Sequence, residues 1–200
     1  MRKTNDWPII GGLAVILVGL PGWVAFSGDD PVEASRSAIR LTARTSMVLF
    51  LVAFTASSLR RLVETSATVW LLRNRRAFGL AFVVSHLLHA MALVRLLRFD
   101  PALFDALTTP ASFIAGGTCY AIILALGVTS FLPIRKAMSP LVWSRLHRWG
   151  VWVIWAFFLV NFGRRAVMNQ MYWPAILLLV LALVVRLWGG SRVRPVEAVA

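Results

Sequence analysis

Charge is scarce in this chain. Only 14% of its 200 residues are Asp, Glu, Lys or Arg, against about 25% in a soluble domain. With 59% hydrophobic residues there is too much apolar side chain for one aqueous core, and a bilayer is the natural solvent. Cysteine is nearly missing. Cys119 alone excludes an internal disulfide, a thiolate cluster and a Cys-x-x-Cys metal site; in an apolar helix it reads as a small packing residue. No Gly-rich dinucleotide fingerprint follows a strand pattern, since Gly11-Gly12 and Gly189-Gly190 stand isolated. A flavin or nicotinamide donor would therefore have no dedicated domain here. Internal repeats, coiled-coil heptads and low-complexity tracts are absent as well. Acids number eight against 21 basic residues, a formal charge of +13. Nucleic acid is nevertheless excluded, because the basic residues sit between apolar runs and form no basic face with interleaved aromatics.

What is present is six apolar segments, each near the ~20 residues that cross a bilayer. They run about Trp7 to Phe26, Leu41 to Leu59, Arg76 to Leu97, Ser112 to Leu132, Val142 to Phe162 and Trp173 to Trp188. Pro21 kinks the first, Gly116-Gly117 in the fourth admits a close helix approach, and Pro174 opens the sixth. Arg2-Lys3, an apolar run and Ala25-Phe26-Ser27 also have the make-up of a signal peptide; the length of the run and its aromatics favour a retained span. Trp7, Trp23, Trp70, Trp143, Trp173 and Trp188 mark segment ends, where headgroups meet hydrocarbon. Trp149, Trp152 and Trp155 form a packing stripe on span five.

Placing the N-terminus inside puts Arg2, Lys3, Arg60, Arg61, Arg73, Arg75, Arg76, Arg135, Lys136, Arg145, Arg148, Arg186, Arg192 and Arg194 on the inner side, as the positive-inside rule asks. The sequence thus predicts an all-α integral membrane protein: a six-transmembrane helical bundle with both termini cytoplasmic, multi-pass in a bacterial-type inner membrane. Residues 1–190 form one transmembrane domain. The polar stretch from Gly189 onward reads as a tail, disordered over 191–200.

The chemistry-bearing residues are few. The three histidines, His86, His89 and His147, all lie in or beside apolar segments, where an ionisable group is costly and marks a functional site. His86 and His89 stand at i and i+3 on one face of span three. Arg75 precedes His89 by about 14 residues, which returns it to within ~40° of that face, ~21 Å along the axis. His147 opens span five. Spans three and five run the same way, so they can wall one pocket. His89 would lie roughly 12 Å above His147, so the two belong to different levels, outer and inner. Imidazole suits haem iron; zinc does not fit, because no carboxylate or thiolate stands at matching depth. A hydrogen-bonding role between helices is the plain alternative.

These residues fall into a pattern: Arg44 in Leu41-Thr42-Ala43-Arg44-Thr45, then Arg75-Arg76-x-x-Gly79-Leu80, then His89, Thr129-Ser130, and Trp143-x-x-Leu146-His147. In order and spacing, over about 40–162, it resembles the ferric reductase-like transmembrane domain family, and within it the haem-binding membrane subunits of bacterial methionine sulfoxide reductase systems. The resemblance implies a six-helix protein with b-type haem, one or two, between spans three and five. His89 then looks like the outer-haem ligand and His147 like the inner one. Arg75 takes the place where some members carry an inner histidine, and Arg44 matches an arginine near the haem. His86 stays a neighbour without a family role. Members carry a second histidine on span five about 13 residues after the first; here the positions are Val160 and Asn161. That leaves a five-coordinate haem, a ligand from elsewhere such as Met47, Met91 or a partner, or a haem-free fold.

The function expected is electron movement across the bilayer, from a separate flavin or quinone donor to an acceptor, as an oxidoreductase subunit. The alternative is a non-redox interaction or assembly subunit on the same fold. Expected partners are membrane lipid and a separate redox protein, which the inner basic surface (Arg60, Arg61, Arg73, Arg76 and Lys136 among it) could dock. A transporter ranks last, because the span interiors offer Thr55, Ser57, Ser85, Thr118, Thr129 and Asn161 but no carboxylate. No acid is placed to orient a histidine toward a nucleophile, so a serine or cysteine hydrolase is excluded.

Overall fold

The computed structural model describes residues 11, 12, 16, 19, 20, 22–24 and 28–191. The first span, Trp7 to Phe26, falls largely outside the described residues, as do 192–200. No strand occurs among the described residues. From residue 31 the helices are α1 (Pro31–Leu62), α2 (Ser66–Arg73), α3 (Arg75–Phe99), α4 (Pro101–Leu107), α5 (Pro110–Val128), α6 (Leu132–Ala137), α7 (Pro140–Met168) and, after a 3-10 turn at Gln170–Tyr172, α8 (Trp173–Ser191). Five of them, α1, α3, α5, α7 and the last with its 3-10 turn, are long and apolar enough to cross a membrane. That is the make-up of a multi-pass membrane protein.

Local chemistry sets the starts. Asp30, Asp100, Thr109 and Ser139 each cap the helix that follows, accepting from a backbone N–H within its first turn. Each is followed by proline, whose missing N–H costs nothing at the first helical position. Span two is accordingly longer than hydropathy suggested. It starts at Pro31 and not near Leu41, and Glu33 in its first turn pairs with Arg36 and Arg40. Span five runs on to Met168, past Phe162. Span four ends at Val128, and Leu132 belongs to the separate short α6.

Helices α1 and α3 lie antiparallel. Arg95 Nε donates to Ser35 Oγ at 3.2 Å, Thr42 Oγ1 meets His89 Nδ1 at 3.0 Å, and Ser46 meets Ser85 at 2.9 Å. As one number rises the other falls, which is the antiparallel register. Between membrane helices such contacts contribute roughly 0.6 kcal/mol each on average. The core is aromatic: the Phe50 ring lies 5.4 Å from those of Phe54 and Phe82 and 5.6 Å from that of Phe158. Cys119 is buried in this core, in keeping with its reading as a packing residue.

Three packing expectations change. Gly116 and Gly117 mark no close approach, since a Cβ on either would meet nothing within 4 Å. Gly116→Ala should then hold or raise the melting temperature in detergent, because alanine is the better helix former; a clear fall, read by circular dichroism, would contradict this packing. Trp149 is 69% exposed, so the stripe on α7 is only Trp152, edge-on to Phe54, and Trp155, which donates to Leu179 O at 3.1 Å. Gly189 to Ser191 are not tail. They complete α8, and Gly189 is buried against Ser58.

Candidate functional site: an arginine-lined cavity

The ends of α1 and α5 and the starts of α3 and α7 gather at one end of the bundle. They enclose a cavity of about 370 Å³, inside the ~300–1,000 Å³ range of ligand pockets. Its apolar walls come from Phe50, Phe54, Phe82, Val83, Leu126 and Ile154. Its polar lining is one imidazole, His147, with Arg75 and Arg76 from α3, Arg135 from α6, Arg148 from α7 and Arg186 from α8, together with Ser130, Trp143 and Ser144. No carboxylate among the described residues lines it.

His147 is held from two sides. Its ring stacks on Trp143 one turn earlier, centroids 4.4 Å apart. Its Nε2 lies 2.9 Å from Thr129 Oγ1. The Thr129 hydroxyl itself donates to Ala125 O at 2.6 Å, so at His147 it accepts, and Nε2 carries the hydrogen in this arrangement. The Trp143 indole donates to Thr129 O at 3.0 Å, and Arg135 lies 4.4 Å above the Trp143 ring. Thr129 thus fixes both side chains at the cavity wall.

Arg186 comes from the last span. Its Nη1 donates to Phe54 O at 2.6 Å, and the guanidinium lies 4.7 Å from the Phe54 ring centre. The sequence assigned Arg186, Arg135 and Arg148 to the inner basic side without placing them in a cavity. Their signal, basic residues at three separate segment ends, does not say which of them converge.

The other two histidines lie elsewhere. His89 Nδ1 meets Thr42 Oγ1 at 3.0 Å and Ile39 O at 3.1 Å. His86, 5% exposed, stacks on His89 with centroids 5.3 Å apart and sits 4.9 Å from the Tyr120 ring. His86 Nδ1 and the Tyr120 hydroxyl are buried with no hydrogen-bond partner among the described residues. Neither histidine lines the cavity. Arg44 does not line it either. Its guanidinium lies 5.5 Å over the Tyr172 ring, with Arg165 at 5.9 Å.

The residues fit haem unequally at the two levels. At His147 a planar apolar body with acidic groups matches an imidazole, aromatic and aliphatic walls and several arginines. Around His86 and His89 the space is taken by the rings of Phe82, Tyr120 and Phe158, 4.9–6.0 Å from His86. The α7 side chains turned inward there are Phe158 and Phe162, while Val160 is 58% exposed and Asn161 is exposed, bonded to Phe157 O. Of the alternative ligands, Met47 is packed in the core and Met91 is 66% exposed. Among the described residues no three of His, Cys, Asp and Glu gather in a metal-binding group. Comparison with family models, curated proteins and solved structures finds no match to this chain.

Proposed function

We propose that this chain is a membrane electron-transfer protein that holds a single b-type haem in the arginine-lined cavity, with His147 as its protein ligand. The observation that carries the reading is a cavity of ligand size whose lining, among the described residues, combines one imidazole, five arginines and no carboxylate. The chain is read as a six-span bundle with both termini on the cytoplasmic side, since the cavity lies at the end where the sequence collects most of its basic residues. Haem, when bound, would exchange single electrons through its iron. The chain's own part is to present His147, to pair acidic groups with guanidinium, and to exclude water with phenylalanine. Donor and acceptor are separate: a flavin protein or a quinone, and a partner on the other side of the exchange. The packed His86–His89 level supports one haem, not two. The test is absorbance of protein purified from haem-supplied cells: a Soret band is expected, and a colourless protein overturns the reading.

One observation favours a haem-free interaction subunit instead. His147 Nε2 is engaged by Thr129, so iron at that nitrogen would displace a hydrogen bond worth ~1 kcal/mol. Thr129→Val tests whether Nε2 is the nitrogen that would face iron, while the absence of a Soret band in the parent protein marks the haem-free reading. On the haem reading through Nε2, haem affinity rises by a few-fold or holds, while the thermal stability of the haem-free protein falls by about 1 kcal/mol. A variant that loses haem would show that the Thr129 contact supports the ligand through a different nitrogen.

A further inference from the structure

We propose that Arg75 and Arg186 form a clamp for the acidic group of a membrane amphiphile, a carboxylate pair or a phosphate. The inference rests on the cavity described above but not on haem being its occupant.

Three observations carry it. First, the acids among the described residues are engaged or distant. Glu33 pairs with Arg36 and Arg40, Glu64 pairs with Arg60, and none of Asp29, Asp30, Asp100 or Asp105 lines the cavity. Arginines near hydrocarbon are costly without a countercharge, and among the described residues none lines the cavity to supply one. Second, Arg186 does not reach for the nearer end of its helix. The described part of α8 runs five residues further, to Ser191, yet the guanidinium turns to the carbonyl of Phe54, eight residues before the end of α1. Ordinary snorkelling would take it the opposite way. Third, Nη1 donates to Phe54 O and also meets Ser57 Oγ at 3.5 Å, which leaves three of the five N–H groups that the planar fork offers. The fork is thereby fixed with donors left over, beside Arg75 from α3 and apolar walls. A fixed cationic fork beside a phenylalanine floor suits a molecule with an acidic head and an apolar body.

The test uses full-length protein in a neutral detergent. Phosphatidylglycerol and phosphatidylcholine are titrated in, with bound lipid counted by native mass spectrometry, and haemin is titrated in parallel by absorbance. Arg75→Gln and Arg186→Gln should each weaken phosphatidylglycerol or haemin by about tenfold, the loss of one charge-assisted contact, and leave phosphatidylcholine unchanged. Arg98→Gln, at the far end of α3, should change nothing. Arg186→Lys, which keeps a donor for Phe54 O, guards against a folding defect, and Arg75→Gln makes the test independent of the Phe54 contact. Loss confined to phosphatidylglycerol assigns the clamp to a phosphate head; loss confined to haemin assigns it to propionates. If both ligands bind both glutamine variants within about twofold of the parent protein, the clamp is wrong. Haemin that binds through His147, with neither haemin nor phosphatidylglycerol weakened in either glutamine variant, overturns the clamp alone. Arginine-dependent lipid binding with no haemin uptake overturns the haem reading alone.

Discussion

His147→Ala should strip the protein of haem, whereas His89→Ala should leave haem content near that of the parent. The asymmetry follows from position. His147 is the imidazole on the cavity wall, and His89 is tied to Thr42 and Ile39 O in a packed region away from it. Removing a group that supports a metal ligand costs about 10–100-fold in affinity, so removing the ligand itself should cost more than that. Truncation at His147 also leaves Thr129 Oγ1 without its imidazole partner, a penalty of ~1–3 kcal/mol at most. The variant should therefore stay folded and inserted, so that lost colour reports lost ligation. The reverse pattern, colour lost in His89→Ala and kept in His147→Ala, would place the haem at the outer level and refute the cavity assignment.

Gly189→Val should be the most damaging single change to the fold. A Cβ at residue 189 would lie 2.6 Å from Ser58 Cβ and 2.8 Å from both Ser58 Cα and Ser58 O. Those atoms belong to the backbone of α1 or are fixed to it, so no rotamer change clears the space. Overpacking of this kind costs ~1–3 kcal/mol where side chains can shift, and here the helices must separate. Their separation would also loosen Arg186 from Phe54 O and Arg61 from Gly189 O. Ser58→Gly removes the 2.6 Å contact but not the two at 2.8 Å, so the double variant should recover only part of the loss. A Gly189→Val protein that melts with the parent would show that α1 and α8 do not pack in this way. Gly150→Ala offers the contrast, since its nearest atoms are the ends of Leu126 and Ile122 side chains at 3.1–3.2 Å, which can move.

Hydropathy made the long apolar segments legible, because the bilayer length fixes what a spanning helix must look like. It placed their ends badly, because it does not register capping. The pairs Asp30-Pro31, Asp100-Pro101, Thr109-Pro110 and Ser139-Pro140 carry the true starts in plain sight, and the short helices α4 and α6 between spans have no apolar run to announce them. Glycine was misread for a related reason. Gly116-Gly117 look like a packing motif and touch nothing, while Gly189, near a polar end, is the tight contact. Which face a membrane helix buries depends on its neighbours, and helix α5 carries apolar residues on every side, with only the polar Ser112, Thr118 and Tyr120 among them, which gives no hint. At the site, depth along parallel helices sets His89 apart from His147, and of the two only His147 lines the cavity, but convergence of Arg75, Arg135, Arg148 and Arg186 on one cavity needs the positions of four helices. The place left by a missing histidine on span five was also only half legible. Val160 and Asn161 could be named, but not that Phe158 and Phe162 are the residues turned inward.

The most direct test is a pyridine haemochrome assay on the purified protein, with haem set against protein concentration. One haem per chain, lost in His147→Ala, is the predicted result. Two haems per chain, or none in protein from haem-supplied cells, would contradict a single haem held in the arginine-lined cavity.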